Sequence, residues 1–271
     1  MIVFPIAKIN IGLRITEKRS DGFHNIETIF YPIHLFDALE FVVSDHSAKC
    51  DILNITGMDT GEAGDNLVTK SIVNLRKHKS IPFLKVHLHK AIPVGAGLGG
   101  GSSDAACLLK CVNRHFELNI DNTYLKSIAL ELGSDCPFFV DGVPSFATGR
   151  GELLTSVNAA LSGFYLVLVN PAIGINTAEA YRNCKPEKPT ASLLELFKLP
   201  ITSWRNQILN DFEEFVFKKQ PLIGELKEDL YKSGALFSLM TGSGSSVYGI
   251  FPEKPVLPPK LKKYVIWEGR L

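Results

Sequence analysis

Pro93-Val-Gly-Ala-Gly-Leu-Gly-Gly-Gly-Ser-Ser-Asp-Ala-Ala106 decides how this chain is read. Five of the seven residues from Gly95 to Gly101 are glycine. A strand-like run, Leu84 to His89, precedes them and a helix-like run follows. Glycine lets backbone N–H groups turn inward and approach a ligand with no Cβ in the way. A helix starting directly behind such a loop adds unpaired N–H donors and the positive end of its dipole. Together these make a cradle for phosphate.

Two common phosphate templates fit the stretch only in part. Gly95-x-Gly97-x-x-Gly100 matches the dinucleotide fingerprint, but that unit needs a second parallel strand soon after the helix, ending in an acidic residue. Here a second helix is expected instead, around 122–132. Gly95 and Gly100 also have P-loop spacing, but the lysine that would reach the β- and γ-phosphates is missing. A loose surface linker would have no need of the apolar helix that begins at once. Ser102 or Ser103 is expected to cap that helix. Ala105, Leu109, Val112 and Phe116 would give it one apolar face. Asp104 suits the positive end of the helix dipole but would repel bound phosphate. Either a magnesium ion lies between them or Asp104 points away.

The chain has 271 residues with a formal net charge of +1, enough for one large domain or two ordinary ones. That balance argues against a general nucleic-acid binder, which carries a basic face. The short basic cluster Lys260, Lys262 and Lys263 reads as a solvated element end. Five cysteines, Cys50, Cys107, Cys111, Cys136 and Cys184, are odd in number and show no CxxC spacing. They suggest a reducing, cytoplasmic setting. The N-terminal stretch lacks the features of a signal peptide, and no run is long enough to span a membrane.

Strands are expected near 2–7, 9–16, 26–35, 38–45, 50–55, 83–90 and 145–149, and helices near 66–79, 103–116 and 122–132. Asp65-Asn66 is a plausible cap for the first helix. Pro137 to Val140 could be a helical turn or a short strand. A second half begins with the apolar run Gly163 to Asn170. Helices follow near 177–183, 192–197, 204–209, 211–218 and 221–232, with strands near 236–240, 247–251 and 263–267. The boundary is placed at 155, giving domains 1–155 and 156–271. This irregular mixture suggests α+β.

Four more segments carry candidate chemistry. In Ala7-Lys8-Ile9-Asn10, a strand would put Lys8 and Asn10 on one face, where they could hold an anion and a hydroxyl. They could equally be the polar face of an amphipathic strand. In Arg19-Ser-Asp-Gly-Phe-His24, the Asp21-Gly22 turn leaves Phe23 and His24 at a loop tip, suited to a planar ring unless Phe23 tucks inward. In Leu132-Gly-Ser-Asp-Cys-Pro137, a rigid turn holds Asp135 where a general base could sit, although a lone aspartate is more often a simple turn or cap. Met240-Thr-Gly-Ser-Gly-Ser-Ser-Val-Tyr-Gly249 is a second glycine-serine turn between apolar strands. Two such loops in separate domains suggest a ligand held at their interface.

These segments, in this order, resemble the GHMP kinases. Pro93 to Ala106 is similar to their central phosphate loop and Thr241 to Gly244 to their C-terminal glycine motif. Ala7-Lys8-Ile9-Asn10, Asp21-Gly22-Phe23-His24, Gly97 to Ser103 and Gly133-Ser-Asp-Cys-Pro-Phe-Phe139 resemble the branch that acts on a cytidine-linked sugar alcohol. The resemblance spans nearly the whole chain. It implies an N-terminal domain like ribosomal protein S5 domain 2, a C-terminal ferredoxin-like domain, and an active site in the cleft between them.

The implied reaction moves the γ-phosphoryl group of ATP to the 2-hydroxyl of a cytidine-diphosphate-linked methylerythritol, a step of the non-mevalonate isoprenoid route. The resemblance makes Asp135 the general base and Lys8 the charge stabiliser. It assigns the nucleotide to Asn66, Lys90, Pro93, Gly95, Gly97, Leu98, Gly99, Gly100, Gly101, Ser102 and Ser103. The acceptor falls to Asn10, Phe23, His24, Asp135, Thr177, Tyr181 and Gly242, with Phe23 and Tyr181 sandwiching the cytosine and His24 reading its polar edge. Magnesium is implied, without a protein ligand to carry over. The implied protein is a monomer or homodimer acting on a small molecule, with no nucleic acid or membrane partner. Phe23 stands where many relatives have tyrosine, so any role of that hydroxyl is lost. The alternatives are another GHMP kinase of homoserine or mevalonate type, or a non-catalytic nucleotide-binding regulator on the same fold.

Overall fold

The structure is a computed structural model that describes residues 1–45, 47–58, 66–158 and 161–271. Its first elements are β1 (Ile2–Val3), β2 (Ile6–Lys18), β3 (His24–Phe36), β4 (Ala38–Val43), β5 (Ile52–Gly57), α1 (Leu67–Arg76), β6 (Leu84–Lys90) and α2 (Gly100–His115). Helices α3 (Asn122–Leu130) and α4 (Cys136–Asp141) lead to β7 (Ser145–Thr148), β8 (Leu153–Ser156) and β9 (Tyr165–Val169). Then come α5 (Thr177–Asn183), α6 (Leu193–Phe197), a 3-10 turn (Ile201–Asn206), α7 (Glu213–Lys219) and α8 (Pro221–Lys232). The chain closes with β10 (Phe237–Met240), β11 (Val247–Phe251), α9 (Pro259–Lys262) and β12 (Val265–Arg270).

Most elements match the reading of the sequence, with informative exceptions. The two strands expected over 2–16 are a two-residue strand and one strand of 13 residues. The Pro137 segment is helical, because Pro137 sits in the first turn of α4, where its missing N–H costs nothing. Strand β8 was not expected, and 201–206 is a 3-10 turn rather than a later α-helix. Of the expected Asp65-Asn66 cap, Asp65 lies outside the described residues. Asn66 caps α1, its side-chain oxygen accepting from Val68 N at 2.9 Å.

By packing, the chain forms two compact units that interleave along the sequence, where the sequence reading places one cut at 155. One comprises 1–8, 35–94 and 99–143, and the other 9–34, 95–98 and 144–271. In the first, a four-stranded sheet has the order β1-β4-β6-β5. Strands β5 and β6 are parallel, joined through α1, as a parallel pair requires a crossover. Strand β6 alternates strictly, with Leu84, Val86, Leu88 and Lys90 buried and the residues between them exposed. Helix α2 packs on α1, α3 and α4 and buries Ala105, Leu108, Leu109 and Val112.

In the second unit, β9 is buried along its whole length, which explains its unbroken apolar run. It lies between β11 and β12 in the antiparallel sheet β10-β11-β9-β12, and α8 packs on β10 and β11. Strands β2, β3, β7 and β8 form a third sheet, most of which belongs to this unit. All five cysteines are free thiols. Among the described residues no helix is long and apolar enough to cross a membrane.

Candidate active site

The glycine loop ends in a helix that no side chain caps. Gly99 is the N-cap, with φ at +71°, and α2 begins at Gly100. The sequence reading placed the cap at Ser102 or Ser103. The difference has a physical cause: Gly99 tolerates the left-handed turn, so the helix starts earlier and takes both serines into its first turn. A helix without a side-chain cap keeps its first N–H groups available to an anion. The Ser103 hydroxyl is buried and has no hydrogen-bond partner among the described residues, so it is another donor within that turn.

Asp104 is turned away from the loop. It is buried, and its Oδ2 accepts from Lys90 Nζ at 2.7 Å. The same ammonium also pairs with Asp37 Oδ2. Asp37 in turn accepts from the backbone N–H groups of Ala91 at 2.6 Å and Ile92 at 2.8 Å. Burial pushes the Asp104 carboxyl up to about 7, Lys90 opposes the rise and the Asp37 charge adds to it. Asp104 thus has its counter-cation within the protein, at Lys90. Lys90 lies beneath the loop, with its Nζ 3.2 Å from where a Cβ on Gly100 would stand.

Lys8 and Asp135 come together in the same unit. Their Nζ and Oδ2 atoms are 3.5 Å apart, with the lysine side chain 4% exposed and the carboxylate 36% exposed. Burial lowers the Lys8 pKa, and the neighbouring Asp135 charge opposes that shift. The lysine is therefore held inside while its partner carboxylate keeps an open side. Gly99 closes over this pair: a Cβ there would meet the Phe139 ring at 2.7 Å and Lys8 Cε at 3.2 Å.

In the second unit, Asn10 joins both glycine turns. Its backbone N–H donates to Thr241 Oγ1 at 2.9 Å, and its Nδ2 donates to Thr28 Oγ1 at 2.9 Å. The Thr241 hydroxyl lies 3.1 Å from Gly97 O and 3.3 Å from Asn10 Oδ1. Tyr248 OH donates to Asn10 O at 2.9 Å. Gly97 has φ at +78°, and a Cβ there would stand 2.0 Å from the carbonyl oxygen of Thr241. Gly242, with φ at +56°, packs against Gly97, 3.1 Å from its Cα when measured from the Cβ it lacks. The two glycine turns therefore touch only because neither carries a side chain there.

The remaining acceptor candidates come from distant segments of the chain and do not form a single stack. His24 stacks on Tyr181, with ring centroids 5.0 Å apart and planes at 22°. Partial burial draws the His24 pKa down, and Lys18 adds to the shift. Phe23 is 49% exposed at its loop tip, and the Arg150 guanidinium lies over its ring at 4.4 Å. Thr177 Oγ1 and Ser243 Oγ share a hydrogen bond of 2.8 Å. The sequence reading passed over Asp37, Arg150, Thr28 and Thr241 as individual residues. Only Thr241 carried a signal, as the first residue of its glycine-serine turn.

The chain matches the family model described as the GHMP kinases N terminal domain over residues 66–143, and that described as GHMP kinases C terminal over 191–258. A protein of Porphyromonas gingivalis named 4-diphosphocytidyl-2-C-methyl-D-erythritol kinase is 49% identical over 260 residues, covering 95% of this chain and 94% of the relative. Its namesake in Bacteroides thetaiotaomicron is 46% identical over 259 residues, with 95% and 94% covered. A crystal structure of 4-(cytidine 5'-diphospho)-2C-methyl-D-erythritol kinase superposes with a TM-score of 0.75 at 30% identity, covering 92% of this chain and 90% of that one.

Proposed function

The chain belongs to the GHMP kinases, in the branch of the 4-diphosphocytidyl-2-C-methyl-D-erythritol kinases, and from that premise we propose how its own residues carry out the reaction. It is an ATP-dependent small-molecule kinase. Its acceptor is 4-diphosphocytidyl-2-C-methyl-D-erythritol, and the hydroxyl phosphorylated is the one at position 2.

The observation that carries the mechanism is the buried Lys8 beside the half-open carboxylate of Asp135. Asp135 takes the proton of the acceptor hydroxyl as its oxygen bonds to the γ-phosphorus. The bond from that phosphorus to the β–γ bridging oxygen breaks, ADP leaves, and the proton passes from Asp135 to solvent. Lys8 offsets negative charge on the group in transit. Phosphoryl transfer needs little covalent help, so positioning and electrostatics supply most of the rate.

The nucleotide's phosphates rest on Gly95 to Ser103, held by the N–H groups at the start of α2 and by the Ser103 hydroxyl. Pro93 and Leu98 shape the loop, and Lys90 supports it from beneath through Asp37 and Asp104. Asn66 lies on the adenine side. No group of three or more His, Cys, Asp or Glu side chains able to hold a metal exists among the described residues. That fits magnesium, which takes one or two protein ligands plus phosphate oxygens. Asp135, whose carboxylate is partly exposed, is the side chain that would hold it. When bound, the ion neutralises phosphate charge.

Asn10, Thr177 and Gly242 form the acceptor's polyol side. For Phe23 and Tyr181 to hold the cytosine between them, His24 leaves the Tyr181 face on which it stacks and reads the polar edge of the base. The combined variant Phe23→Ala, Tyr181→Ala tests this. Loss of stacking worth about 1–3 kcal/mol per ring raises KM for the acceptor by roughly tenfold or more and leaves KM for ATP within about twofold. Equal acceptor KM in the variant and the parent enzyme would sink the cytosine site.

A further inference from the structure

The second packing unit holds a cavity of about 750 Å3 that contains none of the residues assigned to the reaction. This volume falls within the range of small-molecule pockets. The wall is apolar: Phe164, Leu194, Leu199 and Ile201 present accessible surface, and Leu161, Phe197 and Trp204 are packed behind them, at most 3% exposed. Trp204 adds no polar atom, because its indole N–H already donates to Leu199 O at 2.9 Å. The rim is different. Ser156, Asn158 and Lys198 line it, and Lys198 is the one charged residue of the lining. Lys198 is exposed, and its ammonium has no acidic partner among the described residues.

An apolar wall gains from burying hydrocarbon but discriminates little between shapes. The polar atoms at its mouth set the head group. Here they are one cation, one hydroxyl and one carboxamide, none of which bears negative charge. An anion is therefore favoured there and a cation is repelled. We propose that this cavity is a second binding site, for an amphiphilic anion whose hydrocarbon tail fills the wall and whose carboxylate or phosphate head rests on Lys198.

Calorimetric titration of the full chain tests the proposal, with decyl phosphate, decanoate and decylamine as probes below their micellar concentrations. The expected result is saturable binding of one anion per chain, with a negative heat-capacity change from the buried tail and weaker binding of decylamine. Leu194→Trp fills the wall and weakens both anions by about tenfold or more, the cost of expelling roughly two buried methylenes. Lys198→Glu weakens them roughly fivefold, as a rim ion pair should. Neither residue touches the catalytic groups, so kinase turnover is unchanged and reports that both variants are folded. The tighter of the two anions identifies the head group as phosphate or carboxylate. Anion binding undiminished in Leu194→Trp, decylamine binding as tight as the anions, or no saturable heat would each overturn the proposal.

Discussion

Asp135→Asn lowers turnover by about 10²–10⁴-fold, the usual worth of a positioned base, while KM for ATP stays near the parent value. The substitution keeps the shape of the side chain and removes its capacity to take a proton. It also removes the charge that offsets burial at Lys8, whose pKa is already lowered by desolvation and held up by Asp135. The ammonium then loses its proton at a lower pH than in the parent enzyme. The small residual activity of the variant therefore falls off earlier on the alkaline side. Steady-state kinetics across pH check both parts. Turnover within a few-fold of the parent would remove Asp135 as the base and leave it a mere partner of Lys8.

Lys90→Met destabilises the protein by about 3–5 kcal/mol, as expected when one partner of a buried ionic cluster is removed. That is a large share of the roughly 5–15 kcal/mol that holds an ordinary domain together. The cause is specific. Asp37 and Asp104 are each 1% exposed, and Lys90 is the cation between them. Methionine fills the same space and leaves two carboxyl groups facing each other without it.

The pH dependence has a definite sign. Burial raises the folded-state pKa of Asp104 from its ordinary 3.8 to about 7. Below the lower value both folded and unfolded chains hold the proton. Between the two, the folded chain keeps a proton that the unfolded chain releases, so this group's contribution falls as pH rises. Above about 7 its full ionisation cost is present. Without Lys90 the folded-state pKa moves higher still, so Lys90→Met loses more stability at pH 8 than at pH 5. Denaturant unfolding at the two pH values measures it. A midpoint equal to the parent's at pH 8 would contradict the cluster's role.

The phosphate loop was legible because its chemistry is local. Gly95, Gly97 and Gly99 all adopt positive φ, and the apolar stripe from Ala105 to Val112 announces the helix behind them. The start of that helix was misjudged because Ser102 and Ser103 look like caps only if Gly99 is assumed not to be one. Lys90 shows a different limit. The alternation Leu84, Val86, Leu88, Lys90 already points the lysine inward. Its partners lie 14 and 53 positions away, at Asp104 and Asp37, and no periodicity links them.

The Phe23 loop was read correctly as a turn with an exposed aromatic, but Arg150 across its ring comes from a distant segment with no marker of its own. Likewise Asn10 was singled out for its side chain, while its anchoring to Thr28, Thr241 and Tyr248 depends on three separate strands and turns. The Lys8–Asp135 pair spans 127 positions, and the resemblance to a family brought it together where spacing alone could not.

ADP release by the purified chain with magnesium-ATP decides which acceptor the enzyme uses. 4-Diphosphocytidyl-2-C-methyl-D-erythritol, mevalonate and homoserine are offered in turn at equal concentration. Release is expected with the cytidine-linked acceptor alone. Release with mevalonate or homoserine, and none with the cytidine-linked compound, would contradict it.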